Sequence, residues 1–300
     1  MPEAIESALA QTYHPVEVIV VNDGSTDNSG DVAESFQPHI LVLHQRNKGP
    51  GSARNTGIAR SREEWLVFLD ADDLMAPELL ETRIRELKET AAEVVFGDAH
   101  LPHGDHILSR ETESAVLYEP GLEASLSLLE KSGFPIHTAV ISRSAVLRAG
   151  PFNKRRFAED YAFWLRCFAQ APKVYKSDKI LAIYRRHPEQ ATQNDLALYW
   201  NIHMVAVNFW RRHRKEFGDT KTPLYASIDK GWSLLEEALA TNTLIAGKMG
   251  LSAMLLWRFR DVNRLRLLTF LVACVSPKSM RIRMGWFEFD PVRWWRRQPR

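Results

Sequence analysis

Short apolar runs rich in β-branched residues alternate with stretches of helical periodicity from the first residue of this chain onward. Ala4, Ile5, Ala8 and Leu9 fall on one face of a helix predicted over residues 2–11, entered through a proline in its first turn. Residues 16–21 read as a strand buried on both faces that stops at Asn22-Asp23-Gly24-Ser25. The pattern then repeats. A helix over 28–36, a strand over 40–44, the loop Asn47-Lys48-Gly49-Pro50-Gly51 and a helix over 52–59 come first. A strand over 65–69, the loop Asp70-Ala71-Asp72-Asp73, a helix over 74–90 and a strand over 94–97 follow. Further on, strands are predicted over 139–142 and 179–183, with a helix beginning near Glu159.

Such alternation predicts an α/β fold with a mostly parallel sheet covered by helices on both faces. Ligands of these sheets bind where strands end, so three loops are expected on one rim: residues 22–27, 47–51 and 70–73. The third loop sets three carboxylates within four residues against a strand end. Hard divalent cations take oxygen ligands, and such a cluster can present one to a phosphorylated ligand. Capping explains part of the same pattern, since Asp72 or Asp73 can cap the next helix and Ser25 or Asp27 can cap an earlier one. Capping does not exclude a ligand, and Arg54 with Asn55 at the start of a helix suits an anion.

Composition is that of an ordinary globular protein, 45% hydrophobic and 25% charged over 300 residues. Charge divides it. Residues 1–200 carry 21 Lys and Arg against 29 Asp and Glu, net −8, and residues 201–300 carry 18 against 8, net +10. The asymmetry predicts two units, an acidic domain over 1–195 and a basic, helical region over 196–300. Cys167 and Cys274 show neither disulfide nor zinc spacing, which fits a reducing cytoplasm. Met1-Pro2-Glu3-Ala4 does not open a secretory leader, and the apolar run 267–275 is shorter than the ~20 residues that span a bilayer.

Ser7-Ala8-Leu9-Ala10-Gln11-Thr12-Tyr13, Val21-Asn22-Asp23-Gly24-Ser25-Thr26-Asp27, the run from Asn47 to Gly57 and Phe68-Leu69-Asp70-Ala71-Asp72-Asp73 together resemble the N-terminal half of family 2 inverting glycosyltransferases. The resemblance extends to about His187 and implies a GT-A fold and transfer of one sugar from a nucleoside-diphosphate sugar, a UDP-sugar by expectation, to an acceptor hydroxyl. It implies that Asp23 binds the base, that Arg54 lies near base and phosphates, and that Asp70 touches ribose or metal. Asp72 would be the main ligand of Mn²⁺ or Mg²⁺, with Asp73 in support. Ala158-Glu159-Asp160-Tyr161 resembles the family's Glu-Asp motif, making Asp160 the general base and Glu159 a positioning group for the acceptor. Arg185 would face the diphosphate, His187 would complete the metal shell, and residues 134–138 would line the acceptor side.

Two features depart from the family. Met1 falls where the first helix begins, so the usual opening strand and the segment after it that holds the base are absent from these residues. A sheet without that strand exposes unpaired backbone. A Gln-x-x-Arg-Trp motif is also absent, which disfavours processive polymerisation and favours single additions in cell-surface polysaccharide or glycolipid synthesis. Arginine interleaved with tryptophan over 257–300 suits an anionic membrane surface better than nucleic acid, implying peripheral attachment at the inner face and a saccharide or lipid-linked acceptor. A sugar nucleotidyltransferase and a non-catalytic nucleotide-sugar-binding scaffold stay open as alternatives.

Overall fold

The computed structural model describes residues 1–100, 114–131, 134–154, 157–171, 173–185, 195–213 and 215–216. Helix α1 (Pro2–Leu9) leads into strand β1 (Ile19–Asn22), and α2 (Ser29–Glu34) returns the chain to β2 (Leu41–His44). β1 and β2 pair in parallel, from Ile19 against Leu41 to Asn22 against His44. The chain continues through α3 (Pro50–Arg60), β3 (Trp65–Leu66), β4 (Leu74–Met75), α4 (Leu79–Thr90), β5 (Val94–Phe96), β6 (Ala99–His100) and β7 (Val116–Tyr118). Then come α5 (Glu123–Lys131), a 3-10 turn (Ile136–Thr138), β8 (Val140–Ser142), α6 (Arg143–Ala149), α7 (Glu159–Gln170), β9 (Val174–Lys176), β10 (Ala182–Ile183) and α8 (Asp195–His213).

A five-stranded sheet has the order β3-β8-β5-β9-β7, and a three-stranded one the order β4-β10-β6. The α/β architecture with helices on both faces is present, and its pairing is mixed: β5–β9 and β6–β10 are parallel like β1–β2, while β3–β8, β5–β8, β7–β9 and β4–β10 are antiparallel. Alternate residues explain why the central strands read as continuous apolar runs. Val94 and Ile141 join Phe163, Trp164, Leu165 and Phe168 of α7, whereas Val95 and Val140 join Leu79, Ile84 and Leu87 of α4 on the other face. Each such side chain contributes ~1.5–3 kcal/mol by leaving water. Val205, Ala206 and Phe209 of α8 lie in the α7 core, so the helix that opens the predicted basic region packs on the acidic domain. The arginine- and tryptophan-rich stretch beyond it lies outside the described residues, as does His187.

The single helix predicted over 74–90 is interrupted. Pro77 disfavours helical geometry at Ala76, whose N–H instead donates to the Leu181 carbonyl, so Leu74 and Met75 pair with β10 before α4 begins. Strand 65–69 forms ladder pairs only at Trp65 and Leu66, and strand 16–21 only from Ile19 on. Among the described residues no helix is long and apolar enough to cross a membrane.

Arg83 braces the loops around the rim from inside the core. Fully buried on α4, it donates to Glu86 Oε2 at 3.0 Å, to the Lys179 carbonyl at 2.8 Å and to the Thr138 carbonyl at 3.4 Å. Burial pulls its pKa down, and Glu86 opposes that pull. Gly97 makes room for it, because a Cβ there would stand 2.2 Å from the guanidinium. Arg83→Ala is expected to cost ~3–5 kcal/mol by stranding buried Glu86 and two carbonyls, read as a lower urea midpoint at unchanged slope. A loss below ~1 kcal/mol would show that Arg83 is not a brace.

Candidate active site

The first two rim loops are locked together by Asp23. Its Oδ1 accepts from Gln45 Nε2 at 2.6 Å and from the Lys48 N–H at 2.9 Å, and its Oδ2 accepts from the Gly49 N–H at 2.7 Å. Gly24 has φ +74° and lies against Asn47, whose backbone nitrogen would be 2.8 Å from a Cβ, so this junction admits glycine alone. Gln45 carries the tie onward by accepting from Thr56 Oγ1 at 2.6 Å. The glycine-rich loop is therefore fixed where it feeds α3.

Helix α3 delivers Arg54 to the centre of the site. Asn55 clamps the helix to Phe152 through two 2.9 Å hydrogen bonds, one in each direction, and Gly51 passes so close to Asn153 that a Cβ would be 2.5 Å from its carbonyl oxygen. Arg54 Nη1 donates to Glu159 Oε1 and Nη2 to Asp70 Oδ1, both at 2.7 Å, with the guanidinium 5.5 Å from the Phe152 ring centroid. Burial works against the cation, but Asp70, Asp160 and Glu159 outweigh it and hold the Arg54 pKa raised. One cation on α3 thus joins acids from two other segments, the loop after β3 and the start of α7.

Ala158 precedes the acidic pair with φ +57°, a left-handed conformation that costs an alanine ~1–2 kcal/mol and turns the chain into α7. Burial pushes the carboxyls of Glu159 and Asp160 above the ordinary range, with Arg54 opposing the rise in both. Asp160 Oδ1 accepts from the Tyr161 N–H at 2.7 Å, and the residue keeps part of its surface accessible although protein surrounds its carboxyl. Tyr161, Phe163, Trp164 and Phe168 anchor the helix beneath, Phe163 stacking on Phe152 at 4.0 Å between centroids.

The three carboxylates of the acidic loop have different surroundings. Asp70 faces Arg54 with 42% of its side chain exposed. Asp72 is half-buried, and its carbonyl accepts from Arg185 Nε. Asp73 is turned inward: Oδ1 accepts from the Arg185 N–H at 3.0 Å, and Oδ2 lies 3.0 Å from His137 Nδ1. Burial raises the Asp73 pKa against the pull of His137. That contact has the distance of an ion pair without the alignment of a hydrogen bond, and His137 Nε2 is buried without a hydrogen-bonding partner. Asp73 and His137 therefore anchor the loop to the 3-10 turn, and Arg185, which also donates to Glu3, anchors it to β10 and α1. His137 falls in the 134–138 segment expected to line the acceptor side, and its partner is the acidic loop itself.

Asp23, Arg54 and Asp70 border one cavity of about 610 Å³. Arg54 adds Glu159 and Asp160 to that neighbourhood, and Asp72 stands two residues from Asp70. Among the described residues no three His, Cys, Asp or Glu side chains converge as a ready metal cluster. Asp72 and the exposed face of Asp70 are oxygen donors of the kind a hard cation accepts, while Asp73 is committed inward. Gln45 holds the site together without having stood out in the sequence reading, and Asn55, expected there to suit an anion at a helix start, lies inside α3 with its amide committed to Phe152. For Gln45 the available signal was its place directly after β2, at the same strand end as the other rim loops.

Residues 1–148 match the family described as Glycosyl transferase family 2. The glycosyltransferase GlyG of Streptococcus pneumoniae is 28% identical over 218 residues, 68% of this chain and 72% of GlyG. The uncharacterized glycosyltransferase EpsJ of Bacillus subtilis is 31% identical over 201 residues, 64% of this chain. The chain spans 58% of EpsJ, under two thirds of its length. The crystal structure of Staphylococcus aureus TarS 1-349 in complex with UDP-GlcNAc superposes with a TM-score of 0.59 at 20% identity, over 83% of this chain and 76% of that one, a likeness of fold. A mixed α/β sheet whose strand ends gather Asp23, Arg54, Asp70 and the Glu159-Asp160 pair agrees with that likeness, and the chain belongs to glycosyl transferase family 2.

Proposed function

We propose that this protein transfers one sugar from a nucleoside-diphosphate sugar to an acceptor hydroxyl with inversion at the anomeric carbon, Asp160 serving as general base. The carrying observation is the Arg54 hub, which brings the acidic loop at Asp70 to the Glu159-Asp160 pair at the start of α7. As the acceptor oxygen attacks the anomeric carbon, the bond to the diphosphate breaks and its electron pair stays on the departing phosphate oxygen. The hydroxyl proton passes to Asp160. A carboxylate whose pKa is raised is suited to take it, because a base nearer the working pH gains more in the transfer. Asp23 and the glycine-rich loop would seat the nucleoside, and Arg54 and Arg185 would face the diphosphate. Asp72, with Asp70 beside it, would hold a divalent cation, Mn²⁺ or Mg²⁺, that offsets charge developing on the leaving group.

Since a protein of similar fold was crystallised with UDP-GlcNAc, that donor is the first probe. With Mn²⁺ present, Asp160→Asn is expected to lower turnover ~10²–10⁴-fold while UDP still binds, whereas Asp72→Ala should weaken Mn²⁺-dependent UDP binding as well. In the unaltered protein kcat/KM should rise with pH through a midpoint above the usual aspartate range, and Asp160→Asn should lose that limb. The sign for stability is opposite. Glu159 and Asp160 bind protons more tightly folded than unfolded, so their contribution is present below the ordinary carboxylate range and fades as pH climbs through the raised values. Turnover in Asp160→Asn equal to the parent would exclude this base. UDP binding with no turnover in the parent would favour the scaffold reading.

The net charge of +10 over residues 201–300, with Trp257, Trp286, Trp294 and Trp295 among arginines, supports an acceptor presented at an anionic membrane surface. Sedimentation with vesicles containing phosphatidylglycerol should recover the full chain and fail to recover one lacking residues 256–300. Equal recovery of both would remove the membrane from this reading.

A further inference from the structure

Arg185, the proposed partner of the diphosphate, is already engaged through three of its donors. Its backbone N–H donates to Asp73 Oδ1 at 3.0 Å, its Nε to the Asp72 carbonyl, and its Nη1 to Glu3 Oε2. The first two contacts tie it to the acidic loop, and the third reaches a carboxylate 182 positions away. Glu3 belongs to none of the rim motifs. It stands in the first turn of α1 with 65% of its side chain exposed, against 26% for Arg185. Met1, Ala4 and Ile5 around it line the same cavity as Asp70 and Ala71 of the acidic loop.

The contacts with the loop fix where Arg185 stands, because they use its backbone and Nε, the guanidinium nitrogen nearest the backbone. Glu3 is not needed for that position. What it takes is Nη1, at the outer end of the fork through which an arginine binds phosphate or carboxylate oxygens. An ion pair this exposed is weak, since water solvates both charges and two long side chains must be held in one geometry. A diphosphate carries more charge and more acceptor oxygens, so it can displace such a partner. Its apparent affinity is then lowered in proportion to the molecules in which Arg185 is occupied.

We propose that Glu3 is an affinity-determining residue for the donor, its carboxylate occupying Arg185 Nη1 until the nucleotide's diphosphate takes its place. This role rests on the donor seat proposed above and adds to it a competitor from outside the motifs. Because UDP left after transfer carries the same diphosphate, the competition also loosens the hold on that product. Helix α1, which carries none of the groups assigned to chemistry, thereby takes part in nucleotide recognition.

The test is calorimetric titration of the full chain with UDP in the presence of Mn²⁺. Glu3→Gln, which removes the charge and keeps the length of the side chain, should bind UDP ~2–5-fold tighter than the parent. Glu6→Gln, in the same helix, should bind as the parent does. The gain should vanish when Glu3→Gln is combined with Arg185→Ala, because the two residues then have nothing to contest. Equal affinity of the parent and Glu3→Gln overturns the proposal, and weaker binding by Glu3→Gln overturns it in favour of a positioning role. A gain that persists in Arg185→Ala overturns Arg185 as the contested group. Where Arg185→Ala binds too weakly to titrate, the comparison with Glu6→Gln decides alone. Absence of UDP binding in the parent and in Glu3→Gln alike is a separate failure, which removes the donor seat and this role with it.

Discussion

Everything at this site depends on one buried cation held between acids from distant parts of the chain. Arg54 comes from α3, Asp70 from the loop after β3, and Glu159 from the start of α7, and both arginine contacts are 2.7 Å. A buried charge without partners is expensive, so the helix, the loop and the acidic pair are each constrained by the need to satisfy the others. Asp160, adjacent to Glu159, takes its position from the same arrangement, and burial there raises its pKa against the pull of Arg54. Structure and chemistry meet there, since the groups that fix the geometry also set the proton affinity of the proposed base.

Two further ties keep the rim from shifting around that cation. Asp23 accepts the Lys48 and Gly49 N–H groups, so the glycine-rich loop cannot move independently of the end of β1. Asp73 reaches inward to His137 and the Arg185 N–H, whereas Asp72 is half-buried and Asp70 faces Arg54 with 42% of its side chain exposed. A run of acids that looks uniform along the chain is thus divided by burial into an inward anchor, Asp73, and two carboxylates nearer the surface. Arg83 supports this division from beneath through the carbonyls of Thr138 and Lys179, beside the segments that carry His137 and Arg185.

Much of the rim was legible in the sequence because strand ends in α/β sheets leave a strong local signature. Apolar runs ending in Asn22-Asp23-Gly24 and Asp70-Ala71-Asp72-Asp73 placed two loops, and the glycines around Pro50 placed a third. Pairing was less legible: whether Asp23 turns to a ligand or to Lys48 and Gly49, or Asp73 to a metal or to His137, depends on contacts between residues 25 to 64 positions apart, which no local pattern encodes. The interruption of the helix over 74–90 had a local sign in Pro77, whereas the β4–β10 pairing that fills it is a distant contact. Strand direction was hidden for the same reason, as β8 and β5 read as similar apolar runs and run antiparallel.

The most direct test of the central claim is a double-mutant cycle on kcat/KM for UDP-GlcNAc, combining Asp70→Asn with Glu159→Gln. These residues lie 89 positions apart and touch the same guanidinium. If Arg54 makes them one unit, their effects should be non-additive by at least ~1 kcal/mol. Effects that add within ~0.3 kcal/mol would mean that the two acids act separately and that no single site is organised around Arg54.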